Sequence, residues 1–487
     1  MTNAETVTIT KAEYLELLEM KNTVSVLKRE LAELKRLIYG AKSERFIPVD
    51  PKQGVLFDIP AEEPVESEKV EITYTRKKKE EKKQALRLEL PAHLPRVEEI
   101  IEPENLPHDA KKIGETITEI LEFEEATIYV RRIIRPKFIV SSDDEQTQIV
   151  VAELPSLPIP KGNAGPGLLA YILISKFVDH LPFYRLAQIF KRQDVIIAES
   201  TMGGWFNASC KLLELLYELL KQKILSGEYI QADETPIPVQ TKDKPGSTHK
   251  GYHWVYHDPV NRLVLFDYQK TRSREGPDEL LANYKGYLQT DGYTAYNNLR
   301  NGANIQQLAC MAHARRKFEH ALDNDKERAQ KALTLIQQLY AIERKAKEDE
   351  LNFDQIKQLR QIESEPILME LETWLKSEVH QVLPKSAIGS AISYTLTLWP
   401  RLKRYTENGS FQIDNNLIEN SIRPVALGRK NYLFAGSHDA AQQAAVIYSL
   451  LATCKMNGIE PSAWLKNTLS KIADHPVNKL EQLLPIR

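Results

Sequence analysis

Two aspartates each close a short apolar run: Asp233 follows Tyr229-Ile230-Gln231-Ala232, and Asp291 follows Tyr287-Leu288-Gln289-Thr290. Runs of this length and residue type read as strands. Residues 252–257 and 262–268 read as two more, making a hairpin-like meander between the acids. Such a sheet brings both carboxylates to one edge. Converging carboxylates without Cys or His ligands suit Mg²⁺ or Mn²⁺, hard ions that seek oxygen. Two such ions about 3.5–4 Å apart activate a water and stabilise the leaving oxygen of a phosphodiester. Glu419 is the candidate third carboxylate. Glu234 follows Asp233 directly, so on a strand it faces the other side. Asp414 precedes Glu419 by five residues and points elsewhere on a helix.

Four blocks carry a resemblance: ADET around Asp233, TDGY around Asp291, CMAHARRKF from Cys310, and DNNLIENSIRPVALGRKNYLFAGS from Asp414. They resemble the signature blocks of the insertion sequence sixty-six family of bacterial transposases. The likeness covers most of the chain, and its last block is long and specific. It implies an α/β, ribonuclease-H-like core of DDE type, with Asp233, Asp291 and Glu419 as catalytic and metal-holding residues. It also implies Mg²⁺ or Mn²⁺, two ions, as cofactor. The implied partners are terminal inverted repeats and target DNA, two small co-encoded helper proteins, and further copies in a multimeric complex.

The 487 residues allow two to four domains. A hydrophobic fraction of 42% and a charged fraction of 27% describe an ordinary soluble protein. Cys210, Cys310 and Cys454 lie too far apart in sequence for a disulfide framework or a Cys-rich zinc site. No signal peptide is evident, and the longest apolar run, residues 168–174, is too short for a bilayer. The expected location is the bacterial cytoplasm, at the nucleoid, with no membrane partner. A net charge of −2 argues by itself against nucleic-acid binding. Charge is unevenly placed, however: residues 76–83 hold six basic and two acidic side chains, 6 − 2 = +4. Arg131, Arg132, Arg135 and Lys137 form another cluster, and local patches rather than the total set phosphate binding. Solvated faces are the plainer reading of each. The candidate DNA contacts are Arg315, Arg316, Lys317, Arg423, Arg429 and Lys430, all flanking the candidate site.

Residues 11–46 read as a coiled-coil helix. Leu17, Val24, Leu31 and Ile38 repeat every seven residues, with Met20, Leu27 and Leu34 between them. Dimerisation is the functional reading; a helix packed on its own chain is the alternative. Residues 47–90 form a charged linker rich in Pro, Glu and Lys. Residues 91–151 suggest a small module of short strands. Its counterpart in the family is a zinc finger with Cys pairs, but this stretch holds only His93 and His108. Without thiolates a tetrahedral site lacks ligands, so no zinc is expected. Either packing alone holds the module, or recognition of DNA ends has moved or weakened.

Residues 167–226 read as a helical domain, with Ser200-Thr201 as the cap of one helix. The catalytic core spans 228–437. After Asp291, Gly292-Tyr293 should turn the chain, and a helix should start at Ala312. Cys310 and His313 are spaced C-x-x-H, but two ligands do not make a metal site, and a structural Cys is preferred. Asp291 and Glu419 are 419 − 291 = 128 residues apart, against 291 − 233 = 58 for the two aspartates. That excess predicts a helical insertion at about 321–405, with one long helical stretch from 327 to about 376. Residues 413–422 should return to the core as a helix capped by Asp414, Asn415 or Asn416. On it Asn415, Asn416 and Arg423 share the face of Glu419. Arg429 and Lys430 beside Tyr432 suit a phosphate-and-base contact. Helices within 438–487 should close the chain.

The reading is a DNA transposase that cleaves element ends and transfers the freed strand. Its rival is an inactive or domesticated dimeric DNA-binding protein that keeps the fold, suggested by the missing thiolates. A simple metal-dependent nuclease is a lesser rival.

Overall fold

The computed structural model describes residues 90–103, 111–124, 127–141, 147–241, 247–297, 299–300 and 302–486. The expected zipper at 11–46 and nearly all of the linker at 47–90 lie outside these residues.

The finger-like stretch is a four-stranded sheet: β1 (Arg96–Ile100), β2 (Lys111–Glu124), β3 (Thr127–Ser141) and β4 (Thr147–Val151). β3 is central, parallel to β1 and antiparallel to β2 and β4. Two of the strands, at 14 and 15 residues, are far longer than expected. The sheet is tied to the helix Pro166–Phe177 through a buried carboxylate: Glu122 accepts hydrogen bonds from Gly167 N (2.8 Å) and Phe123 N (3.2 Å). A negative group at a helix N-terminus satisfies an orphan donor there and opposes the positive end of the dipole. A Cβ at Gly167 would meet Phe123 O at 2.4 Å, so only glycine permits this approach. His93 Nε2 lies 3.3 Å from Gln193 O, and His108 is outside the described residues.

Helices Phe183–Lys191 and Glu199–Leu225 follow. The latter buries Leu213, Leu216, Tyr217, Leu220 and Ile224, the spacing of one helical face. Truncating any of the leucines to Ala would cost about 2–5 kcal/mol. The expected Ser200-Thr201 cap is not there: the helix begins at Glu199 and its N-cap is Ala198.

The second sheet holds β5 (Tyr229–Gln240), β6 (Thr248–Asp258), β7 (Leu263–Gln269), β8 (Gly286–Thr290) and β9 (Ile305–Ala309), in the order β7-β6-β5-β8-β9. β5, β6 and β7 form an antiparallel meander, while β8 and β9 run parallel to β5. The open edge of β7 is covered from the helix His438–Met456. Ser449 and Thr453, one turn apart, accept hydrogen bonds from Phe266 N (2.7 Å) and Val264 N (3.1 Å). Capping an edge in this way removes a template for unwanted strand pairing.

Between β9 and the helix Asn416–Tyr432 lies the helical insertion. Its expected single long stretch is instead broken. Helix Lys326–Glu348 stops at Asp349, and Phe353–Leu359 restarts from a capping box made by Asn352 and Gln355. After a π-helical turn, Glu365–Glu378 continues, and Ala387–Leu402 closes the insertion. This part has its own core, built on Phe318, Leu339, Leu371, Ile392 and Trp399 and joined to the sheet through Tyr229 and Leu308.

Candidate functional site

Parallel pairing sets Tyr229, Ile230 and Gln231 of β5 beside Tyr287, Leu288 and Gln289 of β8. Asp233 stands two residues past the last paired rung, and Asp291 directly follows β8. Gly292 adopts φ +89°, and Asp291 Oδ1 accepts from Tyr293 N at 2.8 Å. The expected turn is therefore present, and the aspartate stabilises it by its own side chain. From the insertion, Tyr394 donates to Asp291 O at 2.7 Å.

Burial pushes the Asp233 carboxyl up to about 7; the charges of Glu234, Asp291 and Glu419 add to the rise, and the Glu234 amide (2.8 Å) opposes it. The charges of Asp291 and Glu419 thus both reach Asp233. Among the described residues, however, no three Asp, Glu, His or Cys side chains are close enough together to enclose an ion. Glu419 is paired with a cation instead. Both of its oxygens accept from Arg316 Nη2, at 2.8 and 2.7 Å. Arg316 projects from the helix Met311–Ala321, whose first residue is hydrogen-bonded to Ile413 O (3.1 Å). His313, a turn earlier on that helix, takes a hydrogen bond from Arg316 Nη1 at 3.3 Å, so its proton sits on the buried Nδ1, which has no partner. Its pKa is lowered, first by burial and then by Arg316, against the pull of Asp291 and Glu419.

Glu234 is paired with Arg272. Arg272 Nε donates to it at 2.8 Å, and Arg272 stacks 3.9 Å from the centre of the Tyr293 ring. Asp414 is occupied otherwise: it accepts from Asn416 N (3.0 Å) and from Tyr340 of the insertion (2.7 Å). Asn415 is the N-cap but makes no capping bond, and its buried amide has no partner. The helix beyond is longer than expected, running through Pro424 to Tyr432. Cys310 is a buried thiol raised to about 12 chiefly by burial, and its sulfur accepts from Asn415 N at 3.2 Å, as suits a structural residue.

The candidate DNA contacts separate. Arg315 pairs with Glu319 (3.0 Å), and Lys317 lies 5.4 Å above the Tyr394 ring. Arg423 and Lys430 are exposed. Arg429 is half-buried and donates to Pro236 O, which fastens its helix to β5. Arg316 was expected at phosphate rather than on a carboxylate. Its link to Glu419 spans 103 residues, a distance over which no local spacing signals contact.

A family model described as "Transposase IS66 family" matches residues 161–443. The chain belongs to that family. Its residues 449–486 match the IS66 C-terminal element, and residues 26–98 match a region described as the transposase C homeodomain of IS166. The uncharacterized protein y4jD of Sinorhizobium fredii is 32% identical over 96% of this chain and 95% of its own. Protein y4qI of the same organism, also uncharacterized, is 35% identical over 81% of this chain and 76% of its own. In this family member no helix among the described residues is long and apolar enough to cross a membrane.

Proposed function

We propose that this chain is a DDE transposase with a ribonuclease-H-like core, which cuts the ends of its element and joins the freed strand to target DNA. One observation carries the reading: a transposase family model spans residues 161–443 and so takes in Asp233, Asp291 and Glu419, and the charges of the latter two bearing on Asp233 agree with it. The sheet order and the single antiparallel strand β6 amid β5, β7, β8 and β9 support such a core.

The donor set suits Mg²⁺ or Mn²⁺. It consists of carboxylate oxygens, the donors that these hard ions prefer. Asp233 and Asp291 would hold the metal, and Glu419 would complete the second position. Bound there, divalent ions supply an activated water and neutralise the leaving oxygen. Glu419 can join only when Arg316 lets go. A DNA phosphate near Arg316 would compete for its guanidinium, since phosphate accepts the same hydrogen bonds with more charge. Lys317, Arg423 and Lys430 would hold the backbone nearby. Arg272, stacked on Tyr293, keeps Glu234 neutralised and out of the ligand set. Residues 11–46 would join copies of the chain, and the inverted repeats and small helper proteins implied by the family would complete the working complex.

The test is incubation of the full chain with Mg²⁺ and DNA carrying the element's flanking repeats, with the nicked strand mapped. The reading expects a nick that frees a 3′-hydroxyl, followed by strand joining, both lost in Asp233→Ala. Binding without any nick would favour the inactive DNA-binding rival, and nicking without joining would favour a plain nuclease.

A further inference from the structure

Two residues before each strand aspartate stands a glutamine: Gln231-Ala232-Asp233 and Gln289-Thr290-Asp291. Both glutamines are fully buried, and they sit directly opposite each other in the β5–β8 register. Their amides join, Gln231 Nε2 donating to Gln289 Oε1 at 2.9 Å. The remaining groups reach outward. Gln231 Nε2 donates to Asp414 O at 2.9 Å, and Gln289 Nε2 donates to Gln412 O at 2.7 Å. The Tyr229 hydroxyl donates to Gln289 Oε1 and accepts from Gln412 N at 3.1 Å. On the far side His257 Nδ1 lies 3.0 Å from Gln231 Oε1. Since Gln231 presents its oxygen there, His257 must donate, which fixes it as the neutral Nδ1–H tautomer. Burial lowers its pKa to about 4 and keeps it in that state.

Residues 412–415 are the approach to the helix that bears Glu419. Their backbone is pinned to each parallel strand in turn: Asp414 O to β5, Gln412 O to β8, and Ile413 O to Met311 just after β9. We propose that Gln231 and Gln289 are positioning residues that register the Glu419 helix against the two strands carrying Asp233 and Asp291. The pair touches none of the reacting atoms. An amide suits the task because it offers donors and acceptors together, whereas a carboxylate would add charge beside an already acidic cluster. A chain whose second and third acids stand 128 positions apart (419 − 291) needs such a device, because nothing local fixes their separation.

This inference rests on the transposase reading for its catalytic consequence, but not for its structural one. The experiment is hydrogen–deuterium exchange on full-length Gln231→Met and Gln289→Met, with DNA nicking measured alongside. Amides of residues 412–420 should exchange at least about 10-fold faster, while β5 and β8 stay protected. Nicking should fall about 100-fold at unchanged DNA affinity, the effect of a misplaced catalytic group. The double variant should be no worse than either single one, as for parts of one unit. Unchanged exchange over 412–420, or faster exchange with normal nicking, overturns the proposal. Should the methionine variants fail to fold, Tyr229→Phe removes only the bridging hydroxyl and must show the same loosening on a smaller scale. If the parent protein nicks no DNA, the transposase reading falls, and exchange alone decides whether the pair holds the segment.

Discussion

Two neighbouring levels of the same two strands are treated in opposite ways. At Gln231 and Gln289 every amide group is paired, with Tyr229, His257 and the carbonyls of Gln412 and Asp414 completing the set. Two residues on, Asp233 and Asp291 each accept one hydrogen bond from a backbone amide, and burial together with the charges of Glu234, Asp291 and Glu419 raises Asp233 to about 7. A fully satisfied buried network adds rigidity, and an under-satisfied one stores a demand for something to bind. Order is therefore concentrated in the amides, and the proposed chemistry falls to the acids two residues on.

The contrast can be broken first at the acids. Asp233→Ala or Asp291→Ala should reduce DNA nicking roughly 10³-fold with DNA binding retained, measured as single-turnover rates beside a binding isotherm. Equal activity in either variant would remove the acids from the chemistry.

Stability should respond in the opposite sense. The folded-state pKa of Asp233, about 7, lies above its unfolded value of about 3.9. Its contribution is thus fully present below pH 4 and is lost as pH rises through 7. Asp233→Asn should stabilise the metal-free protein at pH 8 by on the order of 3 kcal/mol, a gain that fades as pH falls to 4. Denaturant melts across that range would show it, and Mg²⁺ should shrink the gain by binding the ionised Asp233 carboxylate of the parent. Gln231→Leu should do the reverse, destabilising by about 1–3 kcal/mol by orphaning the Asp414 carbonyl, with little dependence on pH.

The smallest effect concerns Arg316. Its pair with Glu419 is partly exposed, with side chains 45% and 32% accessible, so it contributes little to stability. Arg316→Met should raise divalent-ion affinity without DNA by about 2- to 5-fold, the equivalent of a surface ion pair. Calorimetric titration checks this, and lowered affinity would mean that Arg316 helps rather than hinders Glu419.

Much of the core was legible because its signals are local. The runs before Asp233 and Asp291 are short, apolar and strand-like and end in polar residues, and the Gly292 turn follows from one residue's conformational freedom. What escaped the sequence depends on contacts between distant segments. Arg429 reads as a phosphate ligand until β5 is seen to bring Pro236 O against it. Ser200-Thr201 reads as a cap, but the preceding backbone lets Glu199 start the helix. The break after Glu348 was marked by Asn352 and Gln355, a capping box that the helical composition around it concealed. The paired glutamines were in plain view as a repeated Gln-x-Asp, yet only strand register reveals that they meet.

The central claim is that Asp233, Asp291 and Glu419 form one divalent-ion site. Its most direct test is Mn²⁺ binding to the full chain followed by electron paramagnetic resonance, for the parent and for alanine variants at the three positions. The account predicts that each variant binds at least about 10-fold more weakly than the parent, as for loss of one ligand. Binding that matches the parent in all three would contradict it.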